Sequence, residues 1–284
     1  KLFNWGRPTF VAAGDTIQCR VTPGTAYVLH YGHLIATAAT IRAKTVEVTV
    51  APPAAEDARD FIRRSLPQLP PADAVAVGYV DRLHIGNAAE LLWVSSPGWG
   101  WKLVRIGHKR VVLLGCEFSF WGDIAGHVLA ELFDRQVTDW VLYVGKLGTM
   151  NASIRPNRML ATGTESLIDD LPVIWRGRLA EDLPDDGVVH GARHVTVDSV
   201  VEETKNWFDR YALTYDLVDP EIGHMGAAAR DAGATFDYLH LVTDCLATDY
   251  GVGLYDERSR SIVSRRMKLT KRASKIIENG IIRK

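Results

Sequence analysis

From residue 73 the chain repeats one pattern: a short apolar run, then glycine or polar residues, then apolar positions at helical spacing. The runs are DAVAVG (73–78), KRVVLLG (109–115), DWVLYVG (139–145), RMLATG (158–163), LPVIW (171–175), ARHVTV (192–197) and DYLHLVTD (237–244). Runs this short and this apolar predict strands covered on both faces, as in a mainly parallel sheet. WGDIAGHVLAELF (121–133) places Ile124, Ala125, Val128, Leu129 and Leu132 on one stripe, which predicts an amphipathic helix between two such strands. Alternation of this kind predicts an α/β fold, a three-layer α/β/α domain around a central mixed, largely parallel sheet. A basic helix is expected to close the chain, in RSIVSRRMKLTKRASKIIENGIIRK.

The first 70 residues have another texture. AYVLHYGHLIATAAT and KTVEVTVAP alternate or are β-branched between glycines and prolines, and they predict short strands. PAAEDARDFIRRSL (53–66) predicts a helix with Ala58, Phe61, Ile62 and Leu66 on one face, and QLPPAD reads as a connection. The expected organisation is an N-terminal extension, residues 1–70, followed by an α/β domain, residues 71–284.

Composition narrows the function classes. The 284 residues are 47% apolar and 24% charged with a net charge of -1, so no global field favours nucleic acid or an anionic membrane. No apolar run approaches a membrane span, and the first residues do not read as a signal peptide. Cys19, Cys116 and Cys245 are widely spaced in apolar surroundings with no ligand pattern, which predicts reduced thiols, a cytoplasmic location and no metal site. His30, His33, His190 and His194 have no partners at metal spacing and read as core or surface histidines.

In open α/β sheets, ligands bind beyond the carboxyl ends of the strands. There the chain places Glu117 and Ser119 in GCEFSFWG, then Lys146, Gly148 and Thr149 after DWVLYVG, and Asp244 after the last strand. No GxGxxG or GxxxxGK[ST] follows a strand. SSPGWGWK (95–102) reads as a tight hairpin, and Trp121 as a possible cover for the site. LVDPEIGHMGAAARDAG (217–233) opens a helix: Asp219 fits as its N-cap, Pro220 as its first residue and Gly233 as its stop. That architecture accounts for Asp219 but gives no reason for a glutamate at 221.

LYVGKLGT (142–149), MLATGT (159–164), VTVDSVVEE (195–203), LVDPEIGHMGAAARDAG (217–233) and LVTDCL (241–246) stand in an order that resembles the nucleoside phosphorylase/hydrolase superfamily, of the purine nucleoside and uridine phosphorylase type. The resemblance covers about residues 109–255. It implies an enzyme that cleaves the N-glycosidic bond of a nucleoside or nucleotide by phosphorolysis or hydrolysis. No organic cofactor or metal is implied, inorganic phosphate is a possible co-substrate, and a homo-oligomer is expected.

The resemblance also implies roles. Glu221 would grip the sugar hydroxyls as the ring becomes oxocarbenium-like. Asp244 would assist the leaving base, with Arg258 as its helper by spacing. Tyr143 and Lys146 stand where phosphorylases carry an arginine and a serine or threonine, and Pro220 replaces a methionine. Gly78-Tyr79-Val80-Asp81-Arg82 is a reduced echo of the family's phosphate loop. Lys146, with backbone N–H groups at Gly145 and Gly148, would then hold an anion. Ser119, Thr149, Glu117, Val200 and Arg82 complete the expected substrate-binding set. A binding protein without catalysis, or an enzyme of this fold with a non-nucleoside substrate, are the alternative readings.

Overall fold

The computed structural model describes residues 2–179, 183–184, 186–251 and 259–283. A hairpin of β1 (Thr9–Ala13) and β2 (Thr16–Arg20) is followed by α1 (Thr25–Ile41) and α2 (Ala55–Ser65). Then come β3 (Ala74–Gly78), β4 (Val94–Ser96), β5 (Trp99–Ile106), β6 (Lys109–Cys116), α3 (Asp123–Asp134), β7 (Trp140–Val144) and β8 (Lys146–Thr149). Next are β9 (Leu160–Ala161), β10 (Glu165–Ile168), β11 (Leu171–Ile174), β12 (Val188–Val189), β13 (His194–Thr196) and α4 (Lys205–Tyr211). The chain closes with β14 (Leu217–Asp219), α5 (Ile222–Asp231), β15 (Thr235–Tyr238), β16 (His240–Cys245) and α6 (Arg260–Arg283).

Two mixed sheets form the frame. One has the order β15-β7-β3-β6-β5-β4, and its first four strands are parallel. The other has the order β11-β10-β13-β14-β8-β16-β9-β12. The chain passes from the first sheet to the second at Gly145, between β7 and β8, and at Leu239, between β15 and β16. Two bonds carry the pairing through this bend, Leu239 N–H to Tyr143 O (2.9 Å) and Leu241 N–H to Gly145 O (3.0 Å). A β-carbon at Gly145 would lie 2.6 Å from His240 Nε2, so only glycine lets the two strands bend so close together.

Strand side chains alternate between two apolar layers. Val75, Val77, Val112, Leu114 and Val141 pack under α2, α3 and α5. Ala74, Ala76, Val111, Leu113 and Leu142 pack under α6, which buries Ala273, Ile277 and Ile281. The predicted α/β class and three-layer arrangement are therefore observed. The predicted stripe of α3 is fully buried at Ile124, Ala125, Val128, Leu129 and Leu132. LPVIW forms an antiparallel edge strand rather than a covered one, and it exposes Leu171 and Ile174.

The N-terminal region departs most from expectation. AYVLHYGHLIATAAT is helical, not a set of strands. It forms most of α1, whose Tyr27 and His30 are buried at helical spacing. Its Thr and Val content suggested strands, but an uninterrupted run of this length has the extent of a helix. KTVEVTVAP has strand alternation yet no ladder partner among the described residues, and it is largely exposed. The Asp123 carboxylate accepts the N–H of Thr25 (2.9 Å) and Ala26 (3.1 Å), which docks the start of α1 on the start of α3.

Candidate active site

A cavity of about 380 Å³ opens at the carboxyl ends of β3, β6, β7, β14 and β16. Its charged lining residues are Lys146, Glu203, Asp219, Glu221 and Asp244. Four carboxyl groups thus share the space with one lysine, and Lys146 is the only lysine or arginine lining it among the described residues.

Glu221 is the N-cap of α5, and Pro220 lies outside the helix. This corrects the expectation that Asp219 caps and Pro220 begins it. Asp219 ends β14, and its Oδ1 still accepts the N–H of Glu221 (3.0 Å) and Ile222 (2.8 Å). Its side chain therefore acts on the helix start from two residues before the cap. The Tyr143 hydroxyl donates to Glu221 Oε2 at 3.4 Å. Burial, then the charge of Asp219, pushes the Glu221 carboxyl well above its ordinary value.

Asp244 is the penultimate residue of β16, just past a register shift against β8. Thr243 donates its hydroxyl to Asp244 Oδ1 at 2.8 Å. Burial raises the Asp244 carboxyl against the opposing pull of Thr243, Arg266 and Lys146. Glu203 follows the short turn Val200–Glu202, and burial followed by the Asp244 charge raises its carboxyl to about 8. At neutral pH Glu203 is thus a carboxylic acid and a proton donor facing the cavity. Lys146 Nζ lies 5.6 Å from the centre of the Tyr79 ring, which also lines the cavity.

The opposite wall is aromatic and partly N-terminal. His30 stacks on Trp121 with centroids 4.4 Å apart, and its Nδ1 pairs with Ser199 Oγ at 2.9 Å. Burial, then the charge of His33, lowers His30 to about 4, so its ring is neutral at pH 7. Asn4 reaches the same cavity because residues 4–6 are bonded to the loop after β6, through Asn4 N–H to Cys116 O and Gly6 N–H to Glu117 O.

Of the residues expected from sequence, Tyr143, Gly145, Lys146, Gly148, Val200, Pro220, Glu221 and Asp244 line this one cavity. Ser119, Thr149, Glu117 and Arg82 do not. Ser119 shares a hydrogen bond with the Tyr27 hydroxyl (2.7 Å), and the Thr149 hydroxyl donates to Asp216 O (2.8 Å). Glu117 meets the N-terminal segment through its carbonyl, and Arg82 is turned outward with its side chain 57% exposed. Arg258 lies outside the described residues. Sequence reading missed Glu203, Asn4 and His30 as lining residues. Glu203 stands inside VTVDSVVEE, so the motif held the signal, whereas nothing local in the sequence marks Asn4 or His30.

The fold is nucleoside phosphorylase-like. Uridine phosphorylase from Vibrio fischeri superimposes with a TM-score of 0.59 at 12% identity, covering 76% of this chain and 93% of that one. Purine nucleoside phosphorylase from Toxoplasma gondii gives 0.59 at 13%, covering 78% and 94%. A 5′-methylthioadenosine/S-adenosylhomocysteine nucleosidase from Colwellia psychrerythraea, solved with adenine, gives 0.54 at 14%, covering 76% and 96%. The chain is a divergent example of that fold, and no family model and no curated protein matches its sequence.

Proposed function

We propose that the protein is a nucleosidase, cleaving the N-glycosidic bond of a nucleoside with water rather than phosphate. One observation carries the choice of water: four carboxyl groups and a single lysine line the cavity. A phosphate dianion bound there would find Lys146 as its one cationic partner lining the cavity among the described residues, with the charge held on Asp219 opposing it. Water carries no such cost.

In this reading Glu221 holds the sugar hydroxyls, and the carboxyls around it support positive charge as it develops on the ring. Asp244 and Glu203, both with raised carboxyls, protonate or hydrogen-bond the leaving base. The carbon–nitrogen bond breaks, the base nitrogen takes a proton, and water supplies hydroxyl to the sugar carbon. General-acid help of this kind contributes about 10²–10⁴ in rate. Lys146 orients the Asp244 side of the cavity by charge.

The test is a panel of purine and pyrimidine nucleosides incubated with and without inorganic phosphate, with free base measured. Equal release in both conditions is expected. Release only with phosphate would replace this reading by phosphorolysis, and no release from any nucleoside would remove it.

A further inference from the structure

Asp219, which lines the cavity beside Glu221, is the centre of a buried polar group whose histidines the cavity does not reach. Asp219 ends β14, His194 lies on β13 and His240 on β16, and both histidines are fully buried. His194 Nε2 is 3.2 Å from Asp219 Oδ1, and His240 Nε2 is 3.7 Å from Asp219 Oδ2. Neither approach has hydrogen-bond alignment. His194 Nε2, Asp219 Oδ2, both ring nitrogens of His240 and the Tyr238 hydroxyl have no hydrogen-bond partner among the described residues. Buried polar atoms are nearly always paired, so this concentration around one carboxylate marks an electrostatic centre rather than ordinary packing.

The surroundings hold that centre in place. His194 Nδ1 pairs with Ser166 Oγ (2.9 Å), which contacts Thr196 Oγ1 (3.0 Å), and Thr196 Oγ1 accepts the Gly223 N–H (3.0 Å). His194 is thereby tied to β10 and to the first turn of α5. His240 packs edge-on against Tyr143 at 4.4 Å between centroids. The groups facing Asp219 and Glu221 are His194 and Thr196 on β13, His240 on β16, Tyr238 on β15, Tyr143 on β7, Tyr79 after β3 and the Gly122 N–H before α3. Lys146 lines the same cavity and is the one lysine or arginine to do so among the described residues.

We propose that His194 and His240 are positioning residues that fix a single negative charge on Asp219 behind Glu221, so that Glu221 meets the substrate as the neutral acid. The substrate side of this statement rests on the nucleosidase reading; the charge arrangement does not. Burial alone would raise Asp219, but His194, His240 and the Ile222 N–H outweigh it and hold the carboxyl below its usual range. Burial lowers His240 to about 4 against the pull of Asp219, so that ring is neutral at pH 7 and acts on Asp219 through its dipole. Two acids separated by one residue cannot both ionise cheaply without water, and the histidines decide which one does.

A neutral Glu221 can donate its O–H to one hydroxyl oxygen of a vicinal diol and accept the O–H of the other. An ionised Glu221 could only accept.

Infrared spectra of the ligand-free protein test the charge arrangement without any turnover. At pH 7 the wild type is expected to show a carboxylic-acid carbonyl band that Glu221→Gln removes. In Asp219→Asn the titration midpoint of that band is expected to fall by at least about one pH unit, a tenfold change in proton affinity. His194→Gln loosens the hold on the Asp219 charge and is expected to shift the midpoint the same way, which covers the case of an unfolded Asp219→Asn. An unchanged midpoint in either folded variant overturns the proposal, as does a Glu221 that is already ionised at pH 7 in the wild type. The midpoint shift with no base released from any nucleoside would uphold the charge arrangement and remove only the nucleosidase reading.

Discussion

Gly148 and Asp244 touch across paired strands: a β-carbon on Gly148 would lie 2.9 Å from Asp244 Oδ2. The register shift between β8 and β16 brings the two opposite each other, and the missing side chain is what lets the carboxyl lie against the strand. Gly148→Ala is therefore expected to push the carboxyl toward the cavity while leaving the fold intact. Misplacement of a reacting group by about 1 Å costs on the order of 10²-fold. Steady-state kinetics should show a fall in kcat of about that size with little change in melting temperature; unaltered kcat would mean that Asp244 is not used in the reaction.

Under the proposed reaction, Glu203 is expected to set an alkaline limit. Its carboxyl, raised to about 8, is protonated below that pH and loses the proton as pH rises through it. If the protonated form assists the leaving base, kcat falls across this range. Glu203→Gln keeps a donor that does not titrate, so the limb near pH 8 should vanish from the pH–rate profile while lower-pH activity persists. A limb that survives the substitution assigns it to another group.

The same carboxyl should affect stability in a defined direction. A raised acid binds its proton more tightly in the folded state, so stability is highest below the unfolded value and declines as pH rises toward about 8. Melting temperatures measured from pH 5 to pH 9, wild type against Glu203→Gln, should converge at low pH and separate at high pH, with the variant the more stable. Parallel curves would contradict the burial of that proton.

Asp123 joins α1 to the site. Its carboxylate accepts the first N–H groups of α1 and begins α3. Asp123→Ala is expected to cost about 1 kcal/mol, as the loss of a helix cap does. Hydrogen exchange should speed up chiefly over residues 25–41. Because α1 carries His30, KM should rise more than kcat falls.

The core of α3 offers a control remote from the chemistry. Leu129 is fully buried among strand residues of the first sheet, and Leu129→Ala is expected to destabilise the fold by about 2–5 kcal/mol. Denaturant unfolding measures this. A loss much below that range would mean that α3 repacks easily.

The α/β frame could be read from sequence because its signals are local. Apolar runs such as KRVVLLG and DWVLYVG, and the stripe from Ile124 to Leu132, follow directly from the need to cover both faces of a sheet. The helix α1 is not legible locally because its alternation of Val, Thr and Ala serves either conformation, and its buried face depends on contacts with residues 121–123 and 199–203. Glu221 and Asp244 could be found because one opens a recognisable helix and the other is the penultimate residue of a recognisable strand. Thr149 and Ser119 could not be excluded, because a hydroxyl bonded to a distant carbonyl or phenol leaves no trace in the neighbouring sequence.

The sequence by itself determined the strand–helix alternation, the two acids at strand ends and the glycines beside them, since period and turn chemistry act over a few residues. Tertiary structure alone decided that Glu203, Asp244, Glu221 and Asp219 share one cavity, that His194 and His240 lie against Asp219, and that Asn4 and His30 form a wall. These depend on contacts between residues up to some two hundred positions apart along the chain. The charge on each carboxyl is set by burial and neighbours rather than by residue type, and so exists only once the chain is folded.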